Sequence, residues 1–497
     1  MYIPLLGRVS ILEWPVIILS FFLAWAEYAL SVITQCLPQS VIDACTSITK
    51  WVFDKFERNP KCPAGVDQAR YRTRGRIGSA KNIQEMAQVH GFEVESHVLK
   101  TKDGYLLTAH RIRPRGPPNG KVVYLHHGLL MCSEVWVTMV DKYRNLPYLL
   151  ADLGFDVWLG NNRGNKYSLK HVTKPQNSIS FWNFCMDEFA LFDIPDTIDY
   201  ILYVTQKPHL TYIGFSQGTS QAFAAMSVHP KLNKQIDQFI GISPATTPNG
   251  LQSRFLDAFV KSTPQAMFLM FGRRVLMPSV YFWEKVCYPK LFVTMIDLSN
   301  RLLFNWKSEN ISKYQKWASY MHLYSTTSVK LVVHWFQIMK ARRFQMFSDV
   351  SLSMFQETTP TFYNFKLIKV PIHIIYGDSD SLVDIDVMKN QLPRESTVVD
   401  RVPGHEHLDN LWSDDVYETV FKHALRSLGV LTHVSDALVY GQVPLIEEIV
   451  DTSSETTVID SLSFRRSSPV ASPRRERRKA SVSSVTGEHS FSRNSMI

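Results

Sequence analysis

Gly214-Phe215-Ser216-Gln217-Gly218 constrains this 497-residue chain more than any other string, because of where it stands. It closes a short apolar run, Leu210-Thr-Tyr-Ile-Gly214, that reads as a buried strand, and it opens Thr219-Ser-Gln-Ala-Phe-Ala-Ala-Met226, which reads as a helix. A G-x-S-x-G at a strand-to-helix junction predicts a tight turn that lifts the serine oxygen off the end of a sheet. The free amides of the following helix then face developing negative charge. Ser216 is the predicted nucleophile of an α/β fold with a mostly parallel central sheet. A serine hydroxyl is too weakly acidic to attack an ester unaided, so it requires a base in hydrogen-bond reach and a carboxylate to orient that base.

In such a fold the acid and then the base follow the serine along the chain. The strand candidate Pro371-Ile-His-Ile-Ile-Tyr376 runs into Gly377-Asp378-Ser379-Asp380-Ser381-Leu382-Val383-Asp384. Asp380 is the predicted acid, with Asp378 read as capping the turn and Asp384 the next helix. Beyond the last strand candidate, 397–402, the loop Val402-Pro-Gly-His405-Glu-His407-Leu-Asp409 offers two imidazoles. His407 is the predicted base and His405 the alternative. The same loop also reads as an H-x-H-x-D metal string, but Asn410 stands where a further histidine would be needed and no second ligand cluster accompanies it. No metal and no cofactor are therefore expected. Two amides should form the oxyanion hole, that of Gln217 after the nucleophile and that of Leu129 in Leu125-His-His-Gly-Leu-Leu130, where a glycine lets the backbone turn.

Apolar runs at 121–125, 155–159 and 238–242 read as further buried parallel strands, and Lys102-Asp103-Gly104 as a hairpin turn. After Ser243 come about 120 residues rich in Met, Phe, Trp and Tyr before the next strand, which predicts a helical cap over about 246–366. The expected organisation is a hydrophobic anchor over 1–56, a polar loop-like linker over 57–88, a catalytic domain over 89–430, and a Ser/Arg-rich, largely disordered tail over 431–497.

The net charge of +9 looks basic, yet +6 of it falls within 461–497, so the body is nearly neutral. That tail is Ser and Arg without a basic stripe of interleaved aromatics on a folded element, and no nucleic-acid partner is expected. Arg465-Arg-Ser-Ser468-Pro and Arg477-Arg-Lys-Ala-Ser481 make Ser468 and Ser481 candidate sites for a cytosolic protein kinase. Six scattered cysteines without a C-x-x-C pair read as isolated thiols. The apolar run 11–33 carries only Glu13 and Glu27 as charges, follows a single Arg8 and shows no small-residue cleavage site. It therefore reads as a retained anchor rather than a signal peptide. Its uninterrupted part, 14–26, is short against the roughly 20 residues of a straight span. Gln35, Pro38 and Gln39 break it before an amphipathic stretch at 41–56. Insertion without crossing, as a hairpin or interfacial helix, is the favoured reading; a single span and a greasy helix packed on the soluble body are the alternatives.

The strings Asp103-Gly-Tyr105, His127-Gly-Leu-Leu130, Asp156-Val-Trp-Leu-Gly-Asn-Asn-Arg-Gly-Asn165, Phe181-Trp-Asn-Phe-Cys-Met-Asp-Glu188 and Glu406-His-Leu-Asp409 join the Ser216 pentapeptide in one pattern. Over about 89–428 the chain resembles the acid lipase family, which includes gastric and lysosomal acid lipases and fungal steryl ester hydrolases. The resemblance implies an α/β-hydrolase fold with Ser216 as nucleophile, Asp380 as acid, His407 as base, and the amides of Leu129 and Gln217 as the oxyanion hole. Within the family, the opening Met1-Tyr-Ile-Pro-Leu-Leu-Gly-Arg-Val-Ser10 resembles the yeast lipid-droplet sterol esterase branch rather than the secreted enzymes. That implies steryl esters as substrate, with triacylglycerol the nearest alternative. It also implies a lipid-droplet monolayer or endoplasmic-reticulum membrane as the working surface, with body and tail in the cytosol. Acyl transfer to an alcohol and a lipid-droplet tether without catalysis are the rival functions. The intact order of serine, acid and histidine speaks against the tether.

Overall fold

Runs of β-branched and aliphatic residues can stay buried on both faces only when a sheet is covered on both sides. The computed structural model describes residues 67–249, 264–276, 278, 289–348 and 360–441, with scattered positions between 18 and 51. Its sheet is built from β1 (Glu95–Lys100), β2 (Tyr105–Ile112), β3 (Val122–His126), β4 (Asp156–Leu159), β5 (Leu210–Phe215), β6 (Ile236–Ile242), β7 (Ile372–Gly377) and β8 (Thr397–Val402). The strand order is β1-β2-β4-β3-β5-β6-β7-β8, with a two-residue strand, Lys170–His171, added to β2. β2 pairs antiparallel with β1 and β4, and every other pairing along that path is parallel. All six parallel strands lie where the apolar runs placed them, within two residues at each end.

Side chains alternate across the pleat. Leu125, Ile213 and Ile240 enter the core on one face, and their neighbours Tyr124, Tyr212 and Phe239 enter the core on the other. Both β3 and β5 are buried at every position. The parallel arrangement brings the carboxyl ends of β3, β5, β7 and β8 to one edge of the sheet, where loops in such folds carry ligand sites. Between β6 and β7 runs the helical insertion, with helices Pro264–Phe271, Pro289–Phe304, Lys313–Ser319 and Val329–Ala341 and a small ladder of Val275–Leu276 with Thr327–Ser328.

Two stretches are more ordered than their composition predicts. The linker expected over 57–88 contains the helices Gln68–Gly78 and Ile83–Val89, capped by the side chains of Asp67 and Asn82. Four of their apolar residues, Ile77, Ile83, Met86 and Ala87, are wholly buried. The Arg74 guanidinium lies over the Trp317 ring at 3.7 Å. Charged residues on the outer face dominate the composition and hide a helix whose formation depends on packing. The second stretch is the start of the expected tail, which forms the helix Thr432–Tyr440. It is tied to the body by the Tyr417 hydroxyl, which donates to Asp436 and lies 2.9 Å from Ser435 Oγ, and by the ion pair of Lys422 with Asp436 at 2.9 Å.

Most of the expected 1–56 anchor and all of the chain beyond 441, with Ser468 and Ser481, lie outside the described residues. Among the described residues no helix is long and apolar enough to cross a membrane. Among the described residues, Cys45, Cys132 and Cys185 are not joined in disulfides.

Candidate active site

β5 ends at Phe215 and the helix Gln217–Val228 begins with only one residue between them, so Ser216 must turn the chain alone. It does so at φ 53° and ψ −120°, a conformation that costs a non-glycine residue about 1–3 kcal/mol. The turn is held by the Ser216 N–H donating to Ile242 O at 3.1 Å and the Thr219 N–H donating to Ser216 O at 2.9 Å. Both flanking glycines are forced by close approach. A Cβ on residue 214 would lie 2.8 Å from Thr219 N, and one on residue 218 would lie 2.4 Å from His126 O. Since both neighbours are backbone, neither contact could relax cheaply. The pentapeptide is thus the price of bringing a helix this near to the loop after β3.

The loop after β7 carries three aspartates with three different partners. Asp378 pairs with Arg401 at 2.7 Å and accepts from the Gly404 N–H, and Asp384 caps the helix Ile385–Gln391 by accepting from the Val387 N–H. Asp380 alone of the three meets His407, with Oδ2 2.6 Å from Nδ1, while its Oδ1 accepts from the Leu382 N–H at 3.0 Å. His407 Nε2 in turn lies 2.7 Å from Ser216 Oγ. An ionised carboxylate can only accept, so Nδ1 carries the imidazole proton and Nε2 offers a lone pair to the serine hydroxyl. The group is well shielded, Ser216 being 7% exposed and His407 3%.

His405, the alternative base, points elsewhere. Its Nδ1 lies 2.9 Å from Asn410 Oδ1, the Asn410 amide donates to Ser243 Oγ, and that hydroxyl donates to His407 O. His405 therefore supports the loop that holds His407. Asp409 accepts from the Glu406 N–H and the Asn310 amide. The three side chains of the H-x-H-x-D string take separate partners and do not converge on a common point.

The loop after β3 packs against Ser216, since a Cβ on Gly128 would lie 3.1 Å from Ser216 Cβ. Among the described residues, neither the Leu129 nor the Gln217 N–H donates to a backbone carbonyl. Behind this loop, His127 Nδ1 lies 2.8 Å from Gly128 O, and its Nε2 accepts from the Asn162 N–H at 3.2 Å. His126 Nε2 meets Asn162 Oδ1 at 2.7 Å. Burial keeps both rings neutral, pushing His126 down to about 4 and His127 well below its ordinary value.

Three contacts had no signal in the local sequence, because each joins segments tens to hundreds of residues apart. The Trp306 ring lies parallel to His407 with centroids 5.0 Å apart, and Phe304 stacks on Trp306 at 4.4 Å. Trp335, on the helix Val329–Ala341, donates its indole N–H to Gln217 Oε1 at 2.7 Å. Ser243, at the end of β6, holds the His407 carbonyl.

Comparison with known proteins agrees with this architecture. A family model described as a partial α/β-hydrolase lipase region matches residues 83–140, and one described as the α/β-hydrolase fold matches residues 121–412. A probable lipase of Schizosaccharomyces pombe is 42% identical over 442 residues, covering 87% of this chain and 94% of that protein. A second probable lipase of that yeast is 45% identical over 359 residues, covering 71% and 81%. Gastric triacylglycerol lipase of Homo sapiens is 33% identical over 359 residues, covering 68% and 89%. The chain belongs to the acid lipase family of α/β hydrolases and is a lipase-like ester hydrolase.

Proposed function

We propose that Ser216, His407 and Asp380 form the catalytic triad of an enzyme that hydrolyses steryl esters to free sterol and fatty acid at a lipid surface. The observation that carries the chemistry is the unbroken path from Ser216 Oγ through His407 to Asp380, at 2.7 and 2.6 Å. His407 Nε2 takes the serine proton as Oγ attacks the ester carbonyl, and Asp380 stabilises the resulting imidazolium. The amides of Leu129 and Gln217 receive the oxyanion. As the tetrahedral species collapses, the imidazolium gives its proton to the departing sterol oxygen and leaves an acyl-enzyme. His407 then deprotonates a water that attacks the acyl carbon, which releases the fatty acid and restores the serine.

For the alcohol, support comes from the flat aromatic wall of Phe304 and Trp306 beside His407, which suits a rigid fused-ring system, and from the resemblance of the opening ten residues. Triacylglycerol is the second reading, favoured by relatives named gastric triacylglycerol lipase. Purified full-length protein assayed on a steryl oleate and on triolein in matched emulsions separates the two. The expected kcat/KM is at least about tenfold higher for the steryl ester, the scale of discrimination that apolar pocket fit provides. A preference for triolein, or steryl ester turnover no greater than that of Ser216→Ala, would overturn the sterol reading.

The same reading places the enzyme on lipid droplets, with the segment 1–56 inserted in the monolayer without crossing it and the catalytic body and tail in the cytosol. Ile18, Phe22 and Trp25 are exposed and spaced for one helical face, which supports insertion into an apolar layer. Ser468 and Ser481 would then be open to a cytosolic kinase, whose phosphates would weaken attraction of the basic tail to anionic lipid. Protease added to intact droplets is expected to remove the tail. A tail protected until detergent is added would contradict this topology.

A further inference from the structure

The helix Val329–Ala341 of the cap and the short helix Met186–Glu188 of the core bring three donor side chains together away from the triad. Cys185 Sγ, an Asp187 carboxylate oxygen and a His334 ring nitrogen all lie within 4.8 Å of one another. Cys185 and His334 are completely buried.

The protonation state of His334 gives the cluster its meaning. Its Nε2 lies 2.8 Å from Gln345 O, and a carbonyl can only accept, so Nε2 carries the proton and Nδ1 presents a lone pair. Among the described residues that Nδ1 has no hydrogen-bond partner, and it faces Asp187 Oδ1 at 3.9 Å. Asp187 is itself fixed, its Oδ1 accepting from the Tyr363 hydroxyl at 2.6 Å and its Oδ2 from the Phe347 N–H at 3.0 Å. A lone pair, a carboxylate oxygen and a thiol sulfur thus converge inside the protein, a mixed nitrogen, oxygen and sulfur donor set of the kind that zinc takes. A second proton on the imidazole does not account for the arrangement. A charged N–H to carboxylate bond would be about 2.7–2.9 Å long, well short of the 3.9 Å that separates the two groups.

We propose that Cys185, Asp187 and His334 bind a zinc ion that fastens the cap to the catalytic core. One sulfur, one imidazole nitrogen and one carboxylate oxygen suit zinc and not calcium or magnesium, which take oxygen donors. Tetrahedral zinc bond lengths put neighbouring ligand atoms roughly 3.3–3.6 Å apart, so the His334 and Asp187 donors need to close by about half an ångström and the sulfur by up to about 1.2 Å. The Nε2–H to carbonyl bond is the outer contact that orients metal-bound imidazoles. Binding converts the Cys185 thiol to thiolate and releases its proton to solvent, and water takes the fourth position. Because Trp335 follows His334 directly and bonds Gln217, the ion would also fix the cap over the residue next to the nucleophile.

The test uses the full-length chain, loaded with Zn2+, dialysed, and measured for bound metal, with Co2+ loaded in parallel for its spectrum. The expected result is one equivalent of retained zinc, with tetrahedral cobalt absorption and a thiolate-to-cobalt charge-transfer band. Cys185→Ser should lose that band and His334→Gln should lose at least about tenfold in affinity, the scale reported for disturbed metal ligation. Labelling of Ser216 by a fluorophosphonate checks that each variant is folded. Wild-type protein that retains no zinc and shows no charge-transfer band overturns the proposal whatever the variants do. A band that persists in Cys185→Ser overturns the assignment of the ligands.

Discussion

Ser216→Ala is expected to lower kcat on any ester substrate by about a millionfold, with the fold intact. That loss corresponds to about 8 kcal/mol at the barrier, far more than any single contact contributes to stability. The reason lies in coupling: without Oγ, the His407 and Asp380 pair has nothing to activate. His407→Ala should therefore cost about as much, and the double variant little more than either single one. Asp380→Asn should cost about ten-thousand-fold, because an amide cannot hold the proton on Nδ1 as a carboxylate does. His405→Ala is the informative contrast. Its partner is Asn410 and not the serine, so it should lower stability and slow turnover only through the support it gives to His407 O. Steady-state rates on a short soluble ester check the series without dependence on a lipid surface. Activity that survives in His407→Ala and vanishes in His405→Ala would exchange the two assignments.

The strands, and the chain order of Ser216, Asp380 and His407 that meet in one hydrogen-bonded path, are legible because each rests on local pattern. Apolar runs bounded by glycine announce buried strands, and a pentapeptide between a strand and a helix announces a turn. Asp380 is less clearly set apart from Asp378 and Asp384 by local pattern, since all three occupy one loop. The structure separates them by partner: Arg401 for Asp378, a helix amide for Asp384 and His407 for Asp380. Illegible features share one physical cause, which is that their energy comes from contacts distant along the chain. The helices Gln68–Gly78 and Ile83–Val89 have polar composition and gain order by burying Ile77, Ile83, Met86 and Ala87. The stacking of Trp306 on His407 joins the cap to the last loop of the core. Cys185, Asp187 and His334 likewise meet only once the cap has folded.

Arg163→Ala is expected to lower stability by about 3–5 kcal/mol, the cost of leaving buried carboxylates without their cation. Its side chain is 1% exposed and lies between Asp193, 2% exposed and 2.5 Å away, and Asp103, 2.6 Å away. The Tyr105 ring packs 4.0 Å from the guanidinium carbon, and the Tyr105 hydroxyl donates to Phe181 O. Three strings that carried the family likeness, around Asp103, Arg163 and Phe181, thus surround or adjoin one buried ion cluster. Their spacing along the chain gave no hint of it. The consequence reaches the active site, because Asn162 beside Arg163 holds both His126 and His127 behind the oxyanion loop. Loosening Arg163 should therefore also reduce kcat, while leaving Ser216 reactive toward a fluorophosphonate. Arg163→Lys should not restore stability, since an ammonium cannot bridge two carboxylates with the planar fork that a guanidinium offers. Replacing Arg163 by Met together with Asp103→Asn and Asp193→Asn should recover part of the loss, because no charge is then left buried alone. Chemical denaturation midpoints of these variants measure the effect. A midpoint for Arg163→Ala within about 1 kcal/mol of wild type would show that water reaches the cluster and that the clamp holds nothing.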